Sequence, residues 1–241
     1  MVIAAVDVGR YDDHIGTAST LEDVLVKDEN GNFIFFDDLL SKTSKGTKKL
    51  AIGFEAPLFI PGNIGKKMTC SRPEIDGNRA WSCTSSFQCL FPVLNQFYAT
   101  LKKQWGNSAS VFTSYEDFIA DENPWNVFVF ESFISKHAER KDIGEEFCEG
   151  SWGTHDADAK LTITLFEKFE RSCKEKKIKR SVDAGFYETY MSLPEMFAHY
   201  HGITFKGVPQ SGLIVKSAKP YQKIDKGPWY YNAEESALIV W

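Results

Sequence analysis

The chain has 241 residues, 43% of them hydrophobic and 14% aromatic, and its formal net charge is −5 at pH 7. This composition supplies a packed core and excludes an intrinsically disordered chain. The acidic balance argues against generic nucleic-acid binding through a basic surface, although a local basic patch can coexist with an acidic total.

Cysteine usage and hydropathy limit the redox chemistry and the location of the protein. The five cysteines are odd in number and form no C-x-x-C pair, which argues against a zinc ribbon, a thioredoxin-like site and a disulfide framework. No stretch reaches the roughly 18 apolar residues of a transmembrane helix, and the N-terminal apolar run is too short for a signal peptide. We therefore expect a soluble, cytoplasmic protein with reduced thiols and no membrane partner.

Two predicted strands in the first quarter of the chain end on carboxylates. Residues 2–8 form a continuous apolar run, typical of a buried central strand, and Asp7 lies at its end. Residues 49–55 predict another buried strand that ends on Glu55, where the following Ala-Pro stops the hydrogen-bonding ladder. A buried carboxylate is unfavourable unless a metal, a phosphate-binding loop or a structural hydrogen bond satisfies it. Asp7 alone leaves all three interpretations open.

The segment between these strands predicts further β-structure and one helix. Residues 14–19 predict a second strand after a turn. The dipeptide Asn30-Gly31 separates residues 23–27 from 33–36, and this pattern is a strong signal of a β-hairpin. Residues 37–46 predict a short helix.

Helices and strands alternate in the rest of the chain. Helical spacing predicts helices at 86–105 and 155–177, and a buried strand at 126–134 contains Glu131. Residues 61–85 predict a long loop, and 137–153 a charged connection. After residue 181 the pattern weakens and predicts a short helix and two strands, at 194–201, 212–217 and 236–241.

This order of elements predicts an α/β fold with a mixed sheet flanked by helices. We expect one domain, with a core at 1–180 and a C-terminal extension at 181–241 packed on it. Adjacent strand ends and the N-terminus of the helix at 155–177 would bring Asp7 and Glu55 to the segment "HDAD". Residues at i and i+3 share one helix face, so His155 and Asp158 can point at the same spot.

The resulting pocket would be rich in oxygen atoms and would contain one imidazole. Such a donor set suits Mg²⁺ or Mn²⁺. Other interpretations remain open for each residue: Asp7 as a strand-end cap, Asp158 as a charge that favours the helix dipole, and His155 as a neighbour of the helix cap. Asp156 is read as the cap itself.

Three motifs in order, "AAVDVGR", "LAIGFEAPLFIP" and "HDADAKLTITLF", resemble the ribonuclease H-like superfamily. The resemblance is to its RuvC-like branch and in particular to a family of predicted nucleases of this fold whose function is uncharacterised. It covers roughly residues 1–170 and implies a five-stranded mixed sheet. It also implies a metal site formed by Asp7, Glu55, Asp158 and His155.

The same resemblance assigns supporting roles to other residues. The family places arginines in the loop after the glutamate strand, and "SRPEIDGNRAW" offers Arg72 and Arg79 as clamps for a substrate phosphate. It also places a glutamate in the next core strand, where "FVFESF" has Glu131. We interpret Glu131 and Asp156 as partners that support the ligands rather than as ligands.

The expected function is a metal-dependent nuclease that hydrolyses phosphodiester bonds of DNA or RNA by a two-metal carboxylate mechanism. In this mechanism His155 is a fourth ligand or a proton shuttle. Two alternatives stay open. One is a nucleotide-binding relative of actin-like ATPases, which also use Asp-x-Gly to hold phosphate. The other is a non-catalytic module that binds nucleic acid or protein on the same fold.

Overall fold

The computed structural model describes residues 1–8, 15–46, 49–60, 85–133, 155–175, 179–181, 191–207, 213–216, 230–232 and 237–239. The described strands are β1 (Val2–Val8), β2 (Ile15–Ser19), β3 (Lys49–Glu55), β4 (Phe59–Ile60), β5 (Ser110–Phe112), β6 (Asn126–Phe133), β7 (Lys179–Ser181), β8 (Met191–Ser192), β9 (Thr204–Phe205), β10 (Ile214–Lys216), β11 (Tyr230–Asn232) and β12 (Ala237–Ile239). The described helices are α1 (Phe35–Lys45), α2 (Ser85–Trp105), α3 (Tyr115–Ala120), α4 (His155–Lys174) and α5 (Leu193–Tyr200).

Ten of the described strands form one mixed sheet, in the order β2-β1-β3-β6-β10-β11-β12-β7, with β5 paired to β6 and β9 paired to β5. Strands β1, β3 and β6 run parallel at its centre, and β2 runs antiparallel to β1. Strands β4 and β8 form a separate antiparallel pair. The protein is therefore an α/β fold with a mixed sheet, as the order of elements predicted.

The sheet is wider than the five strands expected from the sequence. The additional strands have only two or three residues each, among them β5, β10, β11 and β12. Strands β10 and β12 lie within the predicted strands at 212–217 and 236–241, whereas β5 and β11 are too short to show a period of two in the sequence. Strand β10 belongs to the predicted C-terminal extension, yet it pairs directly with β6 of the core.

The central strands separate two hydrophobic cores. Even-numbered residues of β1, such as Val6, belong to a core beneath α1 and α2, which we call the α1/α2 core. Odd-numbered residues, such as Ala5, belong to a core beneath α4, which we call the α4 core. All seven residues of β1 are buried, which is why this strand reads as a continuous apolar run.

The predicted hairpin is wrong in its extent. Its turn forms, with Gly31 at a φ of 81°, but only an isolated bridge between Lys27 and Phe33 joins its two arms. Phe35 and Phe36 instead begin α1, where they lie with Leu39 and Leu40 in the α1/α2 core. Burial of this helical face outweighs the β-propensity of the aromatic run.

The other long elements match their predictions closely. Strands β1 and β3 have the predicted bounds, and α2, β6 and α4 begin or end within a few residues of theirs. Helix α2 continues through Pro92. Within the described ranges, none of the helices combines the length and the apolar character needed to cross a lipid bilayer.

Helix α4 lies close against the sheet at Gly53 of β3. A Cβ at this position would sit 2.5 Å from the ring of Phe130 and 2.9 Å from Cγ2 of Thr162 on α4. The hydroxyl of Thr162 also lies 2.7 Å from that of Ser132 on β6. The glycine therefore sets how near the helix comes to the strands.

We expect Gly53→Ala to lower the free energy of unfolding by about 1–3 kcal/mol, because the added methyl overpacks this contact. The shift of the urea unfolding midpoint measures the effect. Glu167→Ala, at an exposed position of α4, is the control and should change stability by less than about 0.5 kcal/mol. An unchanged midpoint in Gly53→Ala would contradict the close packing of α4 on β3.

Candidate metal centre

The ends of β1 and β3 bring two carboxylates together. The strands are parallel, and Asp7 is paired directly with Glu55 in their register. Both residues have odd numbers in strands whose odd positions face the α4 core, so period-two alternation directs both side chains toward α4. Asp7 is only 6% exposed, and Glu55 is partly buried.

The first turns of α4 add a third carboxylate. Asp158 is 7% exposed, and its neighbours Ala159 and Leu161 lie in the α4 core. One carboxylate oxygen each from Asp7, Glu55 and Asp158 lies within 4.8 Å of the other two. The three carboxylates that the sequence pattern singled out are thus adjacent in the fold.

His155, one turn before Asp158, contacts the same cluster. Its Nδ1 lies 2.5 Å from Oδ2 of Asp7. Asp7 is almost fully buried, whereas about a third of the His155 side chain is exposed. Because this contact occupies Nδ1, ligation of a metal by His155 would use Nε2. Among the described residues, the group of ligand atoms that meets the 4.8 Å separation consists of the three carboxylates.

A glycine that the sequence analysis did not single out permits the approach of α4. Gly16 of β2 is paired with Asp7 in the antiparallel register. A Cβ on Gly16 would lie 2.0 Å from the carbonyl carbon of His155 and 2.1 Å from its oxygen. The helix backbone therefore occupies the space of this missing side chain. A glycine inside a predicted strand is the signal that could have indicated it, because such glycines often mark a close backbone approach.

The sequence predicts Asp156 as the N-terminal cap of its own helix. The structure shows a different contact for this side chain. Its Oδ1 accepts a hydrogen bond of 3.0 Å from the backbone N–H of Thr17 on β2. The side chain is exposed and lies outside the group of three carboxylates. Asp156 thus joins the first turn of α4 to the edge strand of the sheet.

Glu131 faces away from the three carboxylates. Its odd-numbered neighbours in β6, Val127 and Val129, lie in the α1/α2 core, so alternation turns Glu131 to that face. It is 1% exposed, and its Oε2 accepts a hydrogen bond of 3.0 Å from the backbone N–H of Leu58. Glu131 therefore holds the segment that follows Glu55.

The two arginines proposed as phosphate clamps, Arg72 and Arg79, lie outside the described residues. Their role remains a prediction. The exposed Lys160 follows the "DADA" segment. Among the described cations of α4, it is the one nearest to Asp158 in sequence.

The arrangement has a clear electrostatic consequence. When ionised, two carboxylates about 4 Å apart repel each other by roughly 4 kcal/mol at an effective dielectric constant of about 20. A divalent cation between them would convert this repulsion into attraction, and carboxylate oxygens suit Mg²⁺ and Mn²⁺. The donor set formed by Asp7, Glu55 and Asp158 therefore fits a hard divalent cation.

Comparisons of the chain with protein-family models, curated proteins and solved structures found no match. The candidate centre stands on the sequence motifs and on the arrangement of these side chains.

We expect Gly16→Ala to displace the first turn of α4, because the new methyl collides with backbone atoms of His155. Overpacking of this kind costs about 1–3 kcal/mol, which a denaturation midpoint measures, and a crystal structure of the variant would show the displacement. Lys160→Ala, on the exposed face of the same helix, serves as the control. A variant with unchanged stability and an unmoved helix would contradict the close approach.

We expect Glu131→Ala to destabilise the protein by about 1–3 kcal/mol, because it leaves the buried N–H of Leu58 without this acceptor. Glu131→Gln keeps an acceptor oxygen and should lose less. Urea unfolding of both variants measures the difference. Equal stability of the wild type and both variants would show that this hydrogen bond does not hold the segment after Glu55.

Proposed function

We propose that this protein is a Mg²⁺- or Mn²⁺-dependent nuclease with a ribonuclease H-like fold of the RuvC-like branch. The convergence of Asp7, Glu55 and Asp158, with their oxygens within 4.8 Å of one another, carries the proposal. The three residues come from the three motifs on which the resemblance rests. The mixed sheet with parallel β1, β3 and β6 and with α4 against it supports the same assignment.

In this proposal Asp7, Glu55 and Asp158 hold the metal. Bound divalent ions would supply activation of water and stabilisation of the leaving oxygen in phosphodiester hydrolysis. The protein's own contribution is to fix these carboxylates at adjacent strand ends and at the start of a helix. Rigid elements hold such groups more accurately than loops do.

His155 has a second task in the proposed site. Its contact with Asp7 orients that carboxylate, as hydrogen bonds to ligating carboxylates commonly do. With Nδ1 engaged, Nε2 is the atom that would complete the metal shell or act as the proton shuttle. Both roles that the sequence suggested for His155 are compatible with this geometry.

The substrate is a nucleic acid in this proposal, and its phosphate would be held by Arg72 or Arg79. A guanidinium binds phosphate oxygens through two parallel hydrogen bonds. The net charge of −5 makes such local cations necessary, because the protein as a whole repels a polyanion.

The test combines Mn²⁺ binding with cleavage assays on single-stranded, duplex and branched DNA and RNA. We expect Asp7→Asn, Glu55→Gln and Asp158→Asn to weaken Mn²⁺ binding beyond the roughly 10- to 100-fold loss typical of residues that only support ligands. Cleavage should be lost in parallel. Glu167→Gln, the same change at an exposed position of α4, should retain both activities.

Circular dichroism establishes that each variant is folded. Cleavage that persists unchanged in Asp7→Asn would show that the proposed site is wrong. A folded wild type that binds no Mn²⁺ would favour the non-catalytic binding module. Stabilisation by a nucleotide in a thermal-shift screen would favour the actin-like alternative.

A further inference from the structure

The edge strand β2 and the first turn of α4 touch through two neighbouring pairs of residues. The backbone of His155 fills the space beside Gly16. One residue further along each element, Asp156 accepts the hydrogen bond from the N–H of Thr17. A steric contact and a directional bond thus fix the same helix end to the same strand.

This connection lies directly beside the candidate metal centre. Gly16 is in register with Asp7, and His155 contacts the Asp7 carboxylate. The next position on that helix face is Asp158, three residues later. A displacement of the first turn of α4 would therefore move two groups of the centre relative to Asp7 at once.

We propose that Asp156 is a positioning residue of the metal centre: through its hydrogen bond to the N–H of Thr17 it holds α4 where His155 and Asp158 meet Asp7. This inference rests on the proposed metal site. Asp156 does not act as a ligand, because it is directed at β2 and lies outside the group of three carboxylates.

The hydrogen bond adds a directional restraint to the packing at the start of the helix. The first backbone N–H groups of any helix have no partner within the helix, and helix ends open more readily than their centres. The missing side chain at Gly16 allows the approach of α4 but does not attract it. The Asp156 carboxylate supplies a directional attraction at this point, since hydrogen bonds with an ionised acceptor are stronger than neutral ones.

Two substitutions separate positioning from ligation. Asp156→Asn keeps an oxygen that can accept the hydrogen bond from Thr17 but lacks the charge that a ligand would need. Asp156→Ala removes both. We expect Asp156→Ala to bind Mn²⁺ about 10-fold more weakly, within the range for residues that orient ligands, and Asp156→Asn to stay within roughly threefold of the wild type.

Electron paramagnetic resonance of free and bound Mn²⁺ measures these affinities in the full chain, and the spectrum of bound Mn²⁺ reports distortion of its shell. Hydrogen exchange of the Thr17 amide in the metal-free protein should quicken in Asp156→Ala and remain slow in Asp156→Asn. Thermal unfolding establishes that both variants are folded at the temperature of the measurement.

The outcomes distinguish this inference from the proposed function. If the wild type binds Mn²⁺ and Asp156→Ala binds it equally well, the positioning role is wrong while the nuclease proposal stands. Equal weakening of both variants would make Asp156 a ligand and also overturn the inference. A wild type that binds no Mn²⁺ would overturn the metal site and the positioning role together, and the Asp7→Asn cleavage assay then tests the site separately.

Discussion

The parallel pairing of β1 with β3 is the constraint on which the candidate centre depends. It sets Asp7 beside Glu55 at the same edge of the sheet. Alternation then turns both side chains to the face covered by α4, and a shift of one residue in either strand would send its carboxylate to the opposite core. The positions of Asp7 and Glu55 are therefore set by a strand register that burial of both strand faces fixes.

Helix α4 completes this arrangement because the sheet leaves room for it at two glycines. Gly16 admits the helix backbone at its first turn, and Gly53 admits the side of the helix further along. Since protein interiors are close-packed and do not deform freely, these two contacts determine how far His155 and Asp158 reach. The same alternation that gathers three carboxylates on the α4 face excludes Glu131, which instead secures the backbone at Leu58 from the other face.

The parts of the fold that the sequence could predict are those with a strong local pattern. Strands β1 and β3 are apolar runs with a carboxylate at or near the end, so their bounds and the positions of Asp7 and Glu55 follow from the sequence. The aromatic run at 33–36 was wrongly predicted as an arm of a β-hairpin, because burial of a helical face outweighed its β-propensity. The contact of Asp156 with Thr17 could not be predicted from the local sequence, because the two residues are 139 positions apart in the chain.

The cluster of carboxylates also has a thermodynamic consequence for the fold that holds it. Mutual repulsion of Asp7, Glu55 and Asp158, when ionised, opposes folding, and the pairing and burial of β1 and β3 must offset it. The imidazole of His155 offsets part of this repulsion through its contact with Asp7. A cation that binds only the folded protein would stabilise it by mass action, so occupancy of the centre and stability of the β1–β3–α4 unit are expected to be coupled.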